Sequence, residues 1–315
     1  MTPLVSCCLI TYNHSDYINQ AIESILMQHT DFNFEIIIAD DCSKDGTKEK
    51  IKYYADKFPE KIKPIIREKN VGPAKNFIEL LNAATGKYIA YLDGDDYWTD
   101  NLKLQQQVDF LEANNDYAIS SHNTTVQDKN KKCYLYSGIA TQKKSFHTTF
   151  KLIDYLQTHF IHSSALVFRR SMLKPFPDWY AGAFSGDGFL ILLLALEGNI
   201  HYINKPMSLY RHNSNSISNY SSRIEINKNF EKHFRLFDEH SNYKFSKEIN
   251  NKIFSLSFYL NYYNTNYLKK IIFFSGNFFK IISANKKYLP AWGRYKFLLP
   301  AQILKSRVNI NEKKT

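Results

Sequence analysis

The alternation of short apolar runs with amphipathic stretches is the feature that most constrains the fold. The runs Leu4–Ile10, Phe34–Ala39 and Tyr88–Leu92 have the length and continuity typical of strands buried on both faces. The stretches Asp16–Leu26 and Thr47–Phe58 place apolar residues at helical spacing. Because strands that alternate with helices are joined by right-handed parallel crossovers, the sequence predicts an α/β fold. Its sheet is expected to be doubly wound and mostly parallel, with helices on both faces.

The same periodicities, and the polar residues beside them, predict the remaining elements. Ser15 or Asp16 is expected to cap the first helix, and Asp41 or Ser43 could cap the second. A polar hairpin or loop is expected around Asp128–Lys132. The other predicted elements are strands at Ile62–Arg67, Tyr117–Ser121 and Ser163–Phe168, helices at Ala74–Ala84, Leu102–Asn114 and Phe189–Leu196, and several helices from Ile224 onward.

The charge distribution separates the C-terminal third from the rest. The 315 residues predict a catalytic domain at 1–222 and a helical, basic and aromatic region at 223–315. The net charge is +11, and lysines interleaved with aromatic residues concentrate after Lys244. No nucleic-acid module is present, so no nucleic-acid partner is expected. Peripheral contact with an anionic membrane and a small helical core both stay open for these side chains. The residues concerned are Tyr262, Tyr263, Tyr267, Lys269, Lys270, Phe273, Phe274, Phe278, Phe279 and Lys280.

Hydropathy and cysteine content bear on the compartment. No apolar run approaches the roughly 18 to 20 residues of a membrane-spanning helix, and the N-terminus lacks a secretory signal pattern. We therefore expect a cytoplasmic protein, which could act at the inner face of the cytoplasmic membrane. The cysteines form no C-x-x-C pair and are expected to be buried small side chains. They are Cys7, Cys8, Cys42 and Cys133.

Two acidic clusters follow predicted strands. Asp93-Gly94-Asp95 places two carboxylates where both can reach one hard cation, and Mg²⁺ and Mn²⁺ prefer oxygen ligands. An isolated Asp-Gly-Asp would be an ordinary turn, but this one directly follows a buried strand. The adjacent pair Asp40-Asp41 would be repulsive without partners. We expect one of that pair to face a hydrogen-bond donor such as the imide N–H of uracil.

Four motifs in order resemble the family 2 glycosyltransferases of the GT-A fold. They are Thr11–Asn13, Asp40–Thr47, Asn70–Gly72 and Leu92–Asp96, and they cover roughly the first hundred residues. The resemblance implies a nucleotide-sugar donor and Mn²⁺ or Mg²⁺ as cofactor. It also implies residue roles: the nucleoside base held by Tyr12 and Asp41, the ribose near Asp93, the metal on Asp95, and further substrate contacts from Ile10, Asp45, Lys75 and Gly94.

The family also uses a carboxylate further along the chain as general base, and Asp187 matches its place. It lies in Ser185–Leu190, at the start of an apolar helix. Inversion by direct displacement requires one carboxylate to take the proton of the acceptor hydroxyl as that hydroxyl attacks. A purely structural role at the helix N-terminus is the alternative for Asp187.

The segment Tyr210–Ser218 resembles the closing segment of the family. Arg211 offers a planar, permanently charged fork for diphosphate oxygens, and His212 is assigned to the metal or the phosphate. The family's histidine comes a residue or two later, so a surface loop role for His212 stays open. The run His162–Ser164 could line the acceptor pocket or end a core strand.

Together these features predict an inverting glycosyltransferase. It would move a sugar from a nucleotide diphosphate, UDP on family grounds, to a hydroxyl of a glycan or lipid-linked acceptor in surface polysaccharide assembly. No Q-x-x-R-W motif is present, which favours single addition over processive synthesis. A non-catalytic nucleotide-sugar or glycan binding module and an aspartate-based phosphotransferase are the alternatives.

Overall fold

The computed structural model describes residues 2–136, 147–212 and 222–264. The chain forms two compact units. The first comprises Met1–Tyr155 and Phe160–Ser222, and the second comprises Leu156–His159 and the chain from Arg223. The predicted membrane-facing residues from Tyr267 onward lie outside the described residues.

The described elements alternate as the sequence predicts over the first hundred residues. The strands are β1 Val5–Thr11, β2 Phe34–Asp40, β3 Ile62–Ile66, β4 Tyr88–Asp93, β5 Tyr97–Trp98, β6 Tyr117–Gln127, β7 Cys133–Leu135, β8 His147–Phe150, β9 Val167–Arg169 and β10 Asn199–Arg211. The helices are α1 Ile18–Leu26, α2 Thr47–Lys57, α3 Pro73–Asn82, α4 Lys103–Ala113, α5 Leu152–Thr158, α6 Gly186–Glu197, α7 Arg223–His240 and α8 Ser246–Asn264.

One mixed sheet organises the first unit. Its main path runs β3-β2-β1-β4-β9-β6-β10-β5, with β7 paired to β6 and β8 paired to β10. Strands β3, β2, β1 and β4 are mutually parallel, as are β6 and β10. The short strand β9 lies antiparallel between β4 and β6. The prediction of an α/β, mostly parallel sheet is confirmed.

The two faces of the sheet pack on different helices, because side chains along a strand point to alternate faces. Val5, Cys7 and Leu9 of β1 belong to one buried cluster with residues of α1, α2 and α4. On the opposite face, the Cys8 thiol lies against α3, where its Sγ is 3.9 Å from the Leu80 carbonyl oxygen. Helices therefore cover both faces, as predicted.

Three local predictions were wrong. Ser163–Ala165 is a 3₁₀ turn, so the expected strand Ser163–Phe168 is shorter than predicted, and β9 covers Val167–Arg169. Helix α1 begins at Ile18 without a side-chain cap. Helix α2 begins after Gly46, whose φ of 94° is left-handed, so neither Asp41 nor Ser43 caps it. Apolar patterning does not encode these ends, which depend on partners elsewhere in the chain.

The remaining expectations are met in part. Cys7 and Cys8 are buried, but Cys42 is half-buried and Cys133 is exposed, so the expectation of four buried thiols was wrong. Asp128–Lys132 does form the tip of a hairpin, between β6 and β7. Within the described ranges, no helix is both long and apolar enough to cross a membrane.

The second unit contains the two helices that the aromatic periodicity predicts. α7 and α8 are joined by a tight turn in which Asn242 and Tyr243 adopt positive φ. Phe234 and Phe237 of α7 are buried, as is Ile249 of α8, so the two helices share an apolar interface.

Candidate active site

The polar segments that follow β1, β2 and β4 meet at one edge of the sheet. Thr11 is opposite Asp40 in the register of β1 and β2, and Ile10 is opposite Asp93 in the register of β1 and β4. The carboxyl ends of parallel strands are where ligands bind in open α/β sheets. The predicted site residues of these segments are therefore brought together.

A hydrogen-bond staple joins the loop after β1 to the loop after β2. The Asn13 backbone N–H donates to Ser43 Oγ at 2.8 Å, and the His14 N–H donates to Thr47 Oγ1 at 2.9 Å. The Ser15 N–H donates to Asp45 Oδ2 at 2.9 Å. Burial acts to raise the pKa of the Asp45 carboxyl, but the bonds from Thr47 and Ser15 outweigh it and lower that pKa. Asp45 thus links the loop after β1 to the loop after β2.

The adjacent carboxylates Asp40 and Asp41 have separate partners. Asp40 accepts from the Ser43 N–H and from the Ser43 hydroxyl. Asp41 accepts from the Val71 N–H at 2.7 Å and from the Gly72 N–H at 3.0 Å. Both carboxylates are buried, and these donors offset their mutual repulsion. Asp41 therefore anchors the loop before α3, and its contact with a nucleoside base stays a prediction.

Close packing around Gly94 explains the glycine of the Asp-Gly-Asp turn. A Cβ at this position would lie 2.7 Å from Thr11 Oγ1 and 2.9 Å from His14 Nδ1. His14 in turn places Nε2 3.9 Å from Asp95 Oδ2. The sequence reasoning missed His14, although it directly follows the Thr11–Asn13 motif. Its importance comes from the fold, which brings it beneath the turn.

Asp93 and Asp96 are poorly neutralised. Asp93 accepts hydrogen bonds of 2.7 Å from the Tyr91 hydroxyl and from the Ser163 hydroxyl. Burial, and next the negative charge of Asp95, raise the pKa of Asp93 to about 7. Burial and the charges of Asp95 and Asp93 also raise the pKa of Asp96 well above its usual range. The turn thus concentrates more negative charge than its surroundings stabilise.

Arg211, at the end of β10, contacts the same turn. Its backbone N–H donates to Asp96 Oδ1 at 2.9 Å, and Nη1 donates to the Asp95 carbonyl oxygen at 2.5 Å. The guanidinium lies between two aromatic rings, 5.1 Å from the centroid of Tyr17 and 4.6 Å from that of Tyr97. Stacking of this kind fixes a planar cation and leaves it charged. The structure therefore brings Arg211 to the site.

The other predicted contact residues differ in exposure. Tyr12 leaves 46% of its surface exposed beside the strand ends. Ile10 is half-buried, and its carbonyl oxygen accepts from the Gly94 N–H at 2.8 Å. Lys75 is exposed, with Nζ 3.7 Å from a Glu79 oxygen in the next turn of α3. Their roles stay predictions.

His212 lies next to Arg211 but has different neighbours. Its N–H donates to the Gln127 carbonyl oxygen at 2.9 Å, and its ring lies 6.3 Å from that of Tyr210. Among the described residues, no three His, Cys, Asp or Glu side chains converge as metal ligands. The assignment of His212 to a metal stays a prediction.

Asp187 lies in the first turn of α6, which Ser185 caps. The Ser185 hydroxyl accepts from the Gly188 N–H at 3.3 Å and donates to Asp187 Oδ1 at 2.7 Å. The negative charge of Asp187 reaches Asp93, whose pKa it helps to raise. The helix N-terminus favours the anionic form of a carboxylate in its first turn. Ser185 thus positions the Asp187 carboxylate at the start of α6, within electrostatic range of the Asp-Gly-Asp turn.

A separate cavity of about 540 Å³ lies beside α3, away from this edge. None of the predicted site residues lines it, and its walls are both polar and apolar. We therefore assign the site to the strand ends. The cavity is lined by Ile78, Leu81, Asn82, Ala84, Arg170, Leu173, Lys174, Pro175, Phe176, Pro177, Asp178 and Ala181.

Comparison with known proteins bears on this geometry. Residues 6–176, more than half of the chain, match the family described as Glycosyl transferase family 2. The UDP-Glc:alpha-D-GlcNAc-diphosphoundecaprenol beta-1,3-glucosyltransferase WfgD of Escherichia coli is 31% identical over 217 residues, 68% of this chain and 79% of that relative. An uncharacterized protein of Mycobacterium tuberculosis is 33% identical over 217 residues, 68% of this chain. The match spans only 60% of that mycobacterial relative.

Solved structures show the same fold at low identity. TarS of S. aureus, in complex with UDP-GlcNAc, has a TM-score of 0.62 at 19% identity and covers 82% of this chain and 74% of its own. The mannosyltransferase PcManGT of Pyrobaculum calidifontis, in complex with GDP-Man and Mn²⁺, has a TM-score of 0.55 at 15% identity. It covers 91% of this chain and 85% of its own.

A mostly parallel sheet with helices on both faces and an acidic turn at its strand ends is the architecture of the GT-A glycosyltransferases. The structural likeness confirms that fold for this chain. The sequence match identifies it further, because it extends from β1 through β9. The chain belongs to glycosyl transferase family 2, as its ordered motifs predict.

Proposed function

We propose that this protein transfers a sugar from a nucleotide diphosphate donor, UDP being the expected nucleotide, to a hydroxyl of a glycan or lipid-linked acceptor, with inversion at the anomeric carbon. The observation that carries the proposal is the clustering of Asp93, Asp95 and Arg211 with Asp187 at one strand edge. WfgD, named for transfer of glucose to a sugar on a lipid diphosphate, supports an acceptor of this class in surface polysaccharide assembly.

The nucleoside would lie over the loops that follow β1 and β2. The exposed ring of Tyr12 can stack on a base, and the hydrogen-bond staple holds that loop in place without the ligand. Asp41 would face the base and Asp93 the ribose. Ile10, Asp45, Lys75 and Gly94 would complete the donor contacts.

Asp95 fits a divalent cation held jointly with the diphosphate. Its side chain is 16% exposed, whereas Asp96 is buried and Asp93 is half-buried beside it, and both carboxylates add to the local negative charge. A hard cation would relieve this repulsion, and Mg²⁺ and Mn²⁺ are often held by one or two carboxylates plus phosphate oxygens. When bound, such an ion stabilises the charge that develops on the leaving diphosphate. Arg211 would stabilise the same charge, and His212 is the further candidate ligand.

Asp187 would act as the general base. As the acceptor hydroxyl oxygen bonds to the anomeric carbon, its proton passes to the Asp187 carboxylate and the bond from that carbon to the donor phosphate oxygen breaks. The Ser185 hydroxyl holds Oδ1, which orients the carboxylate for this transfer. One displacement of this kind inverts the configuration of the donor sugar.

Any contact with a membrane would involve the C-terminal region of residues 223–315. Its net basic and aromatic composition would suit an anionic surface on which a lipid-linked acceptor is presented. We propose a cytoplasmic location at that surface on the same grounds.

The test is transfer and hydrolysis across a panel of nucleotide sugars with Mn²⁺, comparing the natural protein with Asp95→Ala and Asp187→Asn. Asp95→Ala is expected to weaken nucleotide diphosphate binding in the presence of Mn²⁺ and to lower turnover by about 10³-fold. Asp187→Asn is expected to keep nucleotide affinity while turnover falls by about 10³-fold.

A natural protein that binds none of the nucleotide sugars, with or without metal, would refute the proposed donor. Binding without any turnover would instead support a non-catalytic nucleotide-sugar module. Thermal unfolding of each variant checks that the losses are not losses of fold.

A further inference from the structure

The 3₁₀ turn Ser163–Ala165 presents His162 to the site in a fixed orientation. The Ser164 hydroxyl contacts His162 Nδ1 at 2.8 Å, and the Ser164 N–H donates to the same nitrogen at 3.3 Å. The Trp98 indole N–H holds the turn by donating to the Ser164 carbonyl oxygen at 3.0 Å. The hydroxyl of Ser163, the residue between His162 and Ser164, donates to Asp93 Oδ2. The turn therefore ties His162 to the Asp-Gly-Asp edge.

These contacts determine which ring nitrogen carries the proton. Because the Ser164 N–H donates to Nδ1, that nitrogen is the acceptor, and in the neutral imidazole the proton is on Nε2. Burial lowers the pKa of His162 to about 4, although the charges of Asp187 and Asp95 act to raise it. The ring is thus neutral near pH 7. Nε2–H is a donor without a hydrogen-bond partner among the described residues.

Aromatic rings on both sides restrict the imidazole. The ring of Tyr210 lies 4.3 Å from it at an angle of 31°, and that of Tyr136 lies 5.2 Å away, nearly edge-on. Tyr136 leaves 38% of its surface exposed. The row Tyr136–His162–Tyr210 therefore offers an aromatic surface with one fixed polar donor, a combination suited to a ring that has both C–H faces and oxygens.

The row Tyr136–His162–Tyr210 lies where the acceptor, the second substrate of the proposed reaction, would bind. His162 Nδ1 lies 4.0 Å from Asp96 Oδ2, and the imidazole also experiences the charge of Asp187. In the proposed reaction, the donor phosphates lie at the Asp-Gly-Asp turn and the attacking hydroxyl lies at Asp187. A group within range of both borders the space that the acceptor must occupy.

We propose that His162 binds the acceptor, which is a sugar: Nε2–H donates to a ring or hydroxyl oxygen beside the attacking hydroxyl, while Tyr136 packs against the ring face. This inference rests on the proposed glycosyl transfer. His162 orients the acceptor, and the proton of the attacking hydroxyl still passes to Asp187.

The experiment measures two reactions of one nucleotide sugar, transfer to an acceptor and hydrolysis. The nucleotide sugar that the natural protein hydrolyses with Mn²⁺ is incubated with and without a panel of 4-nitrophenyl pyranosides, and transfer is compared with hydrolysis. His162→Ala is expected to lower transfer at least tenfold more than hydrolysis, through a raised KM for the pyranoside, because one hydrogen bond to the acceptor is lost.

Two matched substitutions separate orientation from folding. His162→Gln places an amide N–H near the position of Nε2 and is expected to recover part of the transfer, whereas His162→Asn reaches only the position of Nδ1 and is expected not to. His29→Ala, at an exposed histidine in the segment that follows α1, is the control. Thermal unfolding identifies any variant that has lost its fold.

Equal losses of transfer and hydrolysis in His162→Ala would overturn the inference, and so would unchanged transfer. Hydrolysis by the natural protein without transfer to any pyranoside would also overturn it. Absence of both nucleotide binding and hydrolysis would instead be a failure of the proposed function.

Discussion

The acidic clusters that follow β2 and β4, the two strands on either side of β1, are alike in sequence and opposite in environment. After β2, Asp40 and Asp41 accept from Ser43 and from the N–H groups of Val71 and Gly72. After β4, burial and the negative charge of Asp95 instead raise the pKa of Asp93 and the pKa of Asp96.

The difference teaches how to separate framework from chemistry among acidic motifs. A buried carboxylate whose oxygens accept backbone N–H groups stabilises a fold, since each donor offsets its desolvation. A cluster of carboxylates whose donors do not offset burial and mutual repulsion stores repulsion that a cation can relieve. In this protein the first kind holds the loops, and the second kind defines the catalytic proposal.

The largest expected effect comes from crowding the unneutralised turn. In Gly94→Ala, the added methyl would meet Thr11 and His14 at less than 3.0 Å, so the turn must shift. We expect donor turnover to fall about 100-fold and the free energy of unfolding to fall by about 2 kcal/mol. Gly186→Ala is the stability control, since its nearest neighbour, the Tyr180 hydroxyl, lies 3.5 Å away. Equal destabilisation in both variants would contradict the role of close packing at Gly94.

The second largest effect is expected from removing one acceptor oxygen from the cluster after β2, where Asp40 and Asp41 have hydrogen-bond donors. Asp41→Asn turns an amide N–H₂ toward either the Val71 or the Gly72 N–H, so one half-buried donor loses its carboxylate acceptor. The free energy of unfolding, measured by urea denaturation, is expected to fall by about 2 kcal/mol. Asp109→Asn, at an exposed carboxylate on α4, should change it by less than about 0.5 kcal/mol. A neutral result for Asp41→Asn would show that these bonds do not hold the loop.

Glu35 extends the comparison to the opposite end of the sheet. Burial acts to raise its pKa, but hydrogen bonds from Lys63, Ser6 and Thr85 outweigh this and lower it below the ordinary 4.5. A lowered folded pKa means that the stabilisation is present above about pH 4.5 and is lost as the pH falls through the folded pKa.

We therefore expect Glu35→Gln to reduce the free energy of unfolding by about 1 kcal/mol at pH 7, with the difference from the natural protein shrinking toward pH 3. Denaturation curves at several pH values measure this. Glu112→Gln, which breaks an exposed ion pair with Lys87, should change stability by less than about 0.5 kcal/mol. A loss that is independent of pH would rule out the charge of Glu35 as the cause.

The last expected effect is a gain in stability. Asp96→Asn keeps an acceptor for the Arg211 N–H and removes a buried charge beside Asp93 and Asp95. With chelator present, the variant should be more stable than the natural protein by about 1 kcal/mol. Added Mn²⁺ should narrow the gap by stabilising the natural protein. A destabilised variant would mean that the hydrogen bonds of the Asp96 carboxylate outweigh the cost of burying it.

Much of the fold could be predicted from the sequence, because the strands and helices of its first half are indicated by the pattern of neighbouring residues. The runs that became β1, β2 and β4 are continuous and apolar, and each ends at its acidic or polar motif. The turn at Ser163–Ala165 and the antiparallel pairing of β9 could not be predicted, because their hydrogen bonds involve segments distant in the sequence.

The site residues also fall into those that local sequence reveals and those that depend on tertiary contacts. Asp93 and Asp95 are recognisable in sequence, since their spacing and their strand are both local. The significance of His14 and His162 depends on tertiary neighbours, the Gly94 turn for one and the aromatic row for the other. The staple role of Asp45 was likewise hidden, because its partner Ser15 belongs to another loop.

The last strand of the sheet bears on how the site is assembled during synthesis. The bond from Arg211 to Asp96 spans 115 residues, and that from Arg211 to Gln20 spans 191. A nascent chain therefore exposes the acidic turn well before the arginine that contacts it is made, and contacts of such sequence separation form late. In refolding followed by pulsed hydrogen exchange, we expect the Arg211 amide to gain protection after the amides of β1 and β4. The strand edge that carries the candidate site is then the last part of the sheet to form.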